Sequence, residues 1–472
     1  MLDVRSFGAI GDGTTLDTAA IQAALDACQR AGGGEVYLPA GRYLTGTLVL
    51  PSHTIFNISP GAVVCGSPRI ADYTRDARGR DGDQTGYHLL RIADAVRVTI
   101  CGGGQIEGNG PAFWDDPEHP VDGKFPWRQY YLARSPHDAR PSPMVNIYKS
   151  EDIRIENVTL TNSAGWALNM MLSRWVRVRG VNILNPMDGP NTDGIDINAC
   201  QDVLIDNCVI ENGDDSIVMF TLPNTGPCER ISVTNCILST RCCAVKFYTG
   251  CSYPFRQITF NNITVYHSER AFGVYLSYGA RLEDVVATNF VVQGGVTPPN
   301  FGERPIHIDI RDPKKQEGHH GLVPDALIAQ EVGSVSGMTL ANWVIRSSGR
   351  IIVGGQVDAP VENLSLSNIL LEVSGPQDLS KFVNPTPSKG QWNPDLPHIR
   401  TTPAHVAIHG VNGLWVSDVR VVNASRQALP STGREALPGM HGLWLEKAQN
   451  ARIERFDCYP LQPGFEPIKT IA

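Results

Sequence analysis

The chain has 472 residues, with 40 Lys and Arg set against 48 Asp and Glu for a formal net charge of −8. That mild acidity sets aside nucleic acid as the main partner, which demands a concentrated basic face. No apolar run approaches the ~20 residues that span a bilayer, so a membrane partner is not expected either.

At the N-terminus, Met1-Leu2-Asp3-Val4 leads directly into Phe7-Gly8-Ala9-Ile10-Gly11-Asp12-Gly13, with no basic start followed by an apolar export segment. A cytoplasmic location is therefore the expectation, the alternative being a secreted or periplasmic protein whose signal lies outside this sequence. Gly8 to Gly13 lacks the Lys-Ser/Thr of a phosphate-binding loop and reads as a turn. Next, Ala19 to Cys28 shows apolar residues at i, i+3, i+4 and i+7. With Asp17 or Thr18 as the cap and Gly32-Gly33-Gly34 as the stop, a helix is predicted over about 18–30.

From there a short unit recurs: apolar, polar, apolar, polar, then Asn or Gly. It stands at Ile153-Arg154-Ile155-Glu156-Asn157, Val176 to Gly180, Val203 to Asn207, Ile231 to Asn235, Ile258 to Asn262 and Val285 to Asn289. Met338 to Asn342 and Leu364 to Asn368 repeat it, and fainter copies start at Val96 and Leu414. The steps from 153 to 285 are about 23 to 28 residues, within the range of solenoid repeats. Alternation within the unit means strand, and intervals rich in Gly, Asn, Asp and Pro leave no room for a helix after each one. The expected fold is all-β, a right-handed parallel β-helix of about three short strands per coil, stacked at ~4.8 Å. The N-terminal helix then covers the open apolar end of the solenoid.

Three stretches break the rhythm, about 107–143, 294–334 and 374–403, and read as long loops on one domain spanning 1–472. The 11 cysteines show neither the spacing of a disulfide framework nor any C-x-x-C. Cys208 and Cys236 each follow the Asn of a unit and so should stack as an internal ladder. His319-His320 sits in a loop, and His405 with His409 shares one strand face where packing is the commoner role. No metal and no cofactor are expected.

Two acidic segments stand apart: Asn191-Thr192-Asp193-Gly194-Ile195-Asp196-Ile197 and Gly213-Asp214-Asp215-Ser216-Ile217-Val218. Aligning Ile195 with Ile217 places Asp193 beside Asp215, one coil apart, with Asp214 next at the turn. Three acids in so small a patch repel, so one can hold a proton near neutral pH. Glycoside hydrolysis needs such a set, one carboxyl to protonate the leaving oxygen and one carboxylate to activate water or attack carbon. Two other readings stay open on the pattern alone: ordinary Asp-Gly turns at solenoid corners, and a calcium site.

These residues resemble glycoside hydrolase family 28, the polygalacturonase and rhamnogalacturonase group, over nearly the whole chain. Asn191-Thr192-Asp193-Gly194 and Gly213-Asp214-Asp215 match that family's two most specific motifs, and Gly34 to Tyr43 resembles its first coil. The resemblance implies hydrolysis with inversion, Asp214 as general acid, and Asp193 with Asp215 holding the attacking water.

The family's Gly-His-Gly and Arg-Ile-Lys segments are absent. Ser239 to Tyr248 contains no histidine, and Tyr275 and Ser277 stand where the Arg and Lys that grip a galacturonate carboxylate would be. Lys246 or Arg241 is a candidate replacement cation, and Tyr248 and Tyr275 either stack on a sugar or pack. Asn169 is placed to hydrogen-bond a sugar hydroxyl, and Asn191 completes the candidate substrate-binding set. The expected function is an inverting, exo-acting hydrolase of pectic or related acidic oligosaccharides, its oligomeric state open. The rivals are a lyase or epimerase on the same scaffold, and a non-catalytic glycan-binding β-helix.

Overall fold

The computed structural model describes residues 1–76, 85–115, 137–248, 253–295, 302–313, 331–374, 399, 401–423, 439–459 and 461–471. These form two compact units, Met1–Met219 with Arg230–Ile237, and Phe220–Glu229 with Leu238–Ala472. Most of the three segments expected as long loops, including His319-His320, falls outside the described residues. Among the described residues no helix is long and apolar enough to cross a membrane.

The first unit winds as coils of three short strands. One coil holds β1 (Leu90–Ala93), β2 (Val96–Cys101) and β3 (Gln105–Glu107). The next holds β4 (Val145–Tyr148), β5 (Glu151–Glu156) and β6 (Thr159–Thr161). Then come β7 (Leu168–Met171), β8 (Arg174–Arg179) and β9 (Asn182–Leu184), followed by β10 (Ile195–Asn198), β11 (Gln201–Asp206) and β12 (Val209–Asn212). Each strand pairs in parallel with its counterpart one coil away. In-register rows such as Ile92, Ile147, Met170 and Ile197 are fully buried, each worth roughly 1.5–3 kcal/mol of apolar transfer.

The residue that ends each repeated unit explains the repeat. Asn157, Asn207, Asn235, Asn262, Asn289, Asn342 and Asn368 all adopt left-handed backbone, with φ from 50° at Asn368 to 61° at Asn342. Gly180 holds the same place at φ 62°. Asn and Gly tolerate that conformation best, and it turns the chain at the corner of the coil. The residue just before each unit is left-handed too, as at Asp152, Asp202, Asp284 and Asn363, so every repeated strand lies between two corners.

The helix α1 spans Thr18–Arg30 and buries Ile21, Ala24, Leu25 and Cys28 against the first coil. Its Gln22 side chain accepts from Val49 N (2.9 Å) and donates to Val49 O (3.2 Å), satisfying backbone at the strand edge. Asp17 does not cap the helix with its side chain. Its carboxylate accepts instead from the N–H groups of Ile10 (2.7 Å) and Gly11 (3.0 Å), locking the glycine-rich turn. Those donors are thereby occupied, in keeping with the turn reading of Gly8 to Gly13.

Cys208 and Cys236 do stack. Ile237 N donates to Cys208 O (3.0 Å), which sets the two cysteines in register, and both are buried. Hydrogen bonding to Cys208, followed by burial, holds the Cys236 thiol far above its ordinary range. All ten described cysteines are free.

In the second unit the last two strands of a coil fuse into one long bent strand. Short strands β13 (Cys243–Tyr248), β15 (Arg270–Leu276), β17 (Ile306–Ile310) and β19 (Ile351–Gly354) alternate with long β14 (Pro254–Ser268), β16 (Arg281–Gly294), β18 (Ser334–Ser347) and β20 (Val361–Val373). β21 (Ala404–Asn423) then pairs with both β19 and β20. The core is aromatic: Phe247 packs edge-on to Phe255 and Phe260 at 5.7 and 6.0 Å, and Phe290 stacks flat on Trp343 at 3.9 Å.

Candidate active site

Asp193 precedes β10, and Asp215 lies one coil further on. Gly194 N donates to Asp215 O (2.9 Å) and Ile195 N to Ser216 O (2.9 Å). In a parallel ladder those bonds put Asp193 directly opposite Asp215, with backbones ~4.8 Å apart. Such close approach needs glycine: a Cβ on Gly194 would meet Ser216 O at 2.4 Å, and one on Gly213 would meet Gly189 O at 2.3 Å.

The turn carrying Asp214 and Asp215 is fixed from within. Asn212 Nδ2 donates to Asp214 O (2.6 Å) and Asp215 O (2.9 Å), and Asn212 Oδ1 accepts from Ser216 Oγ (2.7 Å). Thr192 Oγ1 accepts from Gly213 N (3.0 Å) and donates to Gly189 O (3.1 Å), tying the two acidic segments together. Asp214 accepts from the N–H of Asp215 (3.0 Å), and the two residues present carboxylate oxygens within 4.8 Å of each other. Asp193 and Asp215 are 4% and 3% exposed, whereas Asp214 is half-buried. One acid is therefore open to solvent beside two that are enclosed.

Asn191 sits half-buried in the turn before Asp193 with φ 50°. Asn169, on β7, is 1% exposed and donates to Asn146 Oδ1 (2.7 Å). Asn146 in turn donates to His88 Nε2 (3.3 Å). Asp196, fully buried on β10, stands in register with Asn169 and Asn146. Sequence reasoning passed over Asp196, Asn146 and His88. The first was visible inside an acidic motif, but the others lie across a stretch with no repeat.

The remaining candidates belong to the second unit and are described there. Arg241 is 5% exposed. Lys246 is half-buried, with Nζ 4.3 Å from the Tyr248 ring centroid, and Tyr248 also packs edge-on to Phe220 at 5.8 Å. Tyr275 is 2% exposed and enclosed by protein. Its hydroxyl meets Arg270 Nη1 (3.1 Å) and His307 Nδ1 (3.0 Å), and the guanidinium of Arg311 lies 5.0 Å from its ring centroid. Burial holds that phenol well above its usual range. Of the two roles open to Tyr275 from sequence, the geometry supports packing.

Arg304 pairs with Glu269, Arg270 lies 3.4 Å from Glu269, and Arg311 pairs with Asp309 at 3.0 Å. Cations thus gather around the position where the family's Arg is missing, but they come from neighbouring segments. His409 Nδ1 donates to Gly355 O (3.0 Å), while neither ring nitrogen of His405 has a hydrogen-bond partner among the described residues.

Parallel coils with these corners define the right-handed parallel β-helix class. Residues 74–240 match the model for glycosyl hydrolases family 28, and residues 1–73 that for rhamnogalacturonase A/epimerase, pectate lyase-like proteins. Residues 74–240, which carry both acidic segments, are thus similar to the family 28 glycoside hydrolases. The Vitis vinifera "Probable polygalacturonase" is 33% identical over 224 residues, 45% of this chain and 43% of its own length. An exo-poly-alpha-D-galacturonosidase of Dickeya chrysanthemi is 29% identical over 252 residues, 46% of this chain and 41% of its own. The chain spans about half the length of the curated relatives it matches. Among solved structures, the exopolygalacturonase of Thermotoga maritima superposes with a TM-score of 0.65 at 20% identity, covering 90% of this chain and 92% of that one, which shows the shared fold.

Proposed function

We propose that the protein is a glycoside hydrolase that cleaves pectic or related acidic oligosaccharides from a chain end. The observation that carries this reading is the register that sets Asp193 opposite Asp215, with half-buried Asp214 beside them. Asp214, in reach of solvent and of a leaving group, donates the proton to the glycosidic oxygen. Asp193 and Asp215 together hold and deprotonate the attacking water, which gives inversion at the anomeric carbon. The names of the matched relatives support polygalacturonate as the first substrate to try and exo action as its mode.

One observation favours a second stereochemical course. Inversion needs ~6.5–9.5 Å between acid and base, while a separation of ~5–5.5 Å goes with retention. Asp214 and Asp215 bring oxygens within 4.8 Å of each other, so the inverting course rests on Asp193 as the main base. Proton NMR of the first-formed anomer separates the two.

The function itself is tested by product release from a panel of pectic oligosaccharides, wild type against Asp214→Asn. Single sugars released by the wild type and not by the variant support it. An unsaturated, ultraviolet-absorbing product would favour a lyase, and binding without turnover would favour a glycan-binding β-helix.

A further inference from the structure

A directed chain of hydrogen bonds runs along the sheet beside the acids. His88 Nδ1 lies 2.8 Å from Pro143 O, a pure acceptor, so that nitrogen carries the proton. Its Nε2 is then the acceptor for Asn146 Nδ2 (3.3 Å). With its NH2 committed to His88, Asn146 turns its oxygen to the next coil, where Asn169 Nδ2 donates to it (2.7 Å). Asn169 is thereby oriented as well: its NH2 faces back along the column, and its Oδ1 faces the other way.

That oxygen is buried and has no hydrogen-bond partner among the described residues, in a side chain 1% exposed. Asp196 is the residue in register on that side, one strand on, and it is fully buried. A carboxylate there would set two acceptors face to face in a buried site. It would also add a negative charge three residues from Asp193, within ~10 Å by chain length.

We propose that Asp196 is a neutral carboxylic acid whose O–H donates to Asn169 Oδ1, and that it serves as a positioning residue for the Asp193 segment. The His88–Asn146–Asn169 chain fixes the direction of this bond from the far end, three coils away. A neutral group at 196 completes the column and spares the acid cluster a further charge. The positioning role rests on the hydrolase reading, whereas the protonation state does not.

The test therefore has a spectroscopic and a kinetic arm. Infrared spectra at pH 7 should show a carboxylic-acid carbonyl band in wild type that Asp196→Asn abolishes, separate from the band that Asp214→Asn removes. Asn is the isostere of the neutral acid and still donates to Asn169, so kcat for Asp196→Asn should exceed that of Asp196→Leu by about tenfold or more. Should Asp196→Asn fail to fold, Asn169→Leu removes the acceptor and should shift the same band. Absence of any band assignable to Asp196 overturns the proposal, whatever the activity. So does an Asp196→Asn variant that folds and is as inactive as Asp196→Leu, or a band that Asn169→Leu leaves in place.

Discussion

Both units bury polar groups on or beside the short strand that precedes the repeated one, but they do so differently. In the first unit the buried groups are short amides and acids whose hydrogen bonds point one way along a column and stop at Asn169 Oδ1. In the second, long guanidiniums are matched by acids: Arg304 with Glu269, Arg311 with Asp309. In matched pairs the attraction offsets part of the desolvation cost, and losing one partner strands a buried charge. A directed chain that ends on an acceptor beside an acidic cluster leaves chemistry to be done. Burial of polar groups marks both regions, and what separates them is whether those groups are matched in pairs or strung in one direction.

Removing the solvent-facing acid of the first region should cost activity and not stability. Asp214→Asn is expected to lower kcat by ~10²–10⁴-fold, the ordinary contribution of a general acid, with a melting temperature close to wild type. Breaking the second should do the reverse. Glu269→Ala removes the buried acid that pairs with Arg304 and Arg270 and should destabilise by ~3–5 kcal/mol in urea unfolding, while the folded fraction keeps its turnover.

A pH series sharpens the contrast through His405, fully buried on β21. Burial, with the charge of Arg350 second, depresses it to about 4. The unfolded chain titrates this group near ~6.5, so between those values the unfolded state binds the extra proton. Stability is intact above ~6.5, falls as the pH drops towards 4 by ~3 kcal/mol in all, and changes no further below. Unfolding curves of His405→Leu should lack that part of the loss.

Gly194→Ala probes the contact between the acidic segments. Its Cβ would meet Ser216 O at 2.4 Å, and the overpacking should cost ~1–3 kcal/mol together with activity. The smallest effect expected is at Asn342→Ala, where a left-handed residue loses its tolerance for ~1–2 kcal/mol and no activity is lost.

Much of this was legible in the sequence because solenoid rules are local. Asn, or Gly at 180, ends each repeated strand because both tolerate a left-handed corner, so the repeat could be counted from those residues. Ile195 and Ile217 sit on the same row, and the alignment of Asp193 with Asp215 followed. The helix over 18–30 was equally plain, although the role of Asp17 was not, since its carboxylate serves a turn instead of the helix. The His88 column was hidden because its first step, from 88 to 146, crosses a coil lengthened by residues outside the repeat. The pairing of Arg304 with Glu269 was hidden for a related reason. It joins segments 35 residues apart with no period between them.

The corner asparagines carry one more consequence. Asn342 Nδ2 donates to Asn289 Oδ1 (3.0 Å) and Asn368 Nδ2 to Asn342 Oδ1 (2.9 Å), although the first step is 53 residues and the second 26. The ladder therefore measures turns of the chain and ignores how much chain a turn contains. A gene encoding such a protein can gain or shed a whole loop between two rungs without disturbing the reading frame of the stack, whereas losing a single residue inside a rung's strand shifts every side chain beyond it. Variation in length among proteins built this way should accordingly fall between the asparagines, and loop exchange at those points offers a route to altering what the site admits while the frame stays as it is.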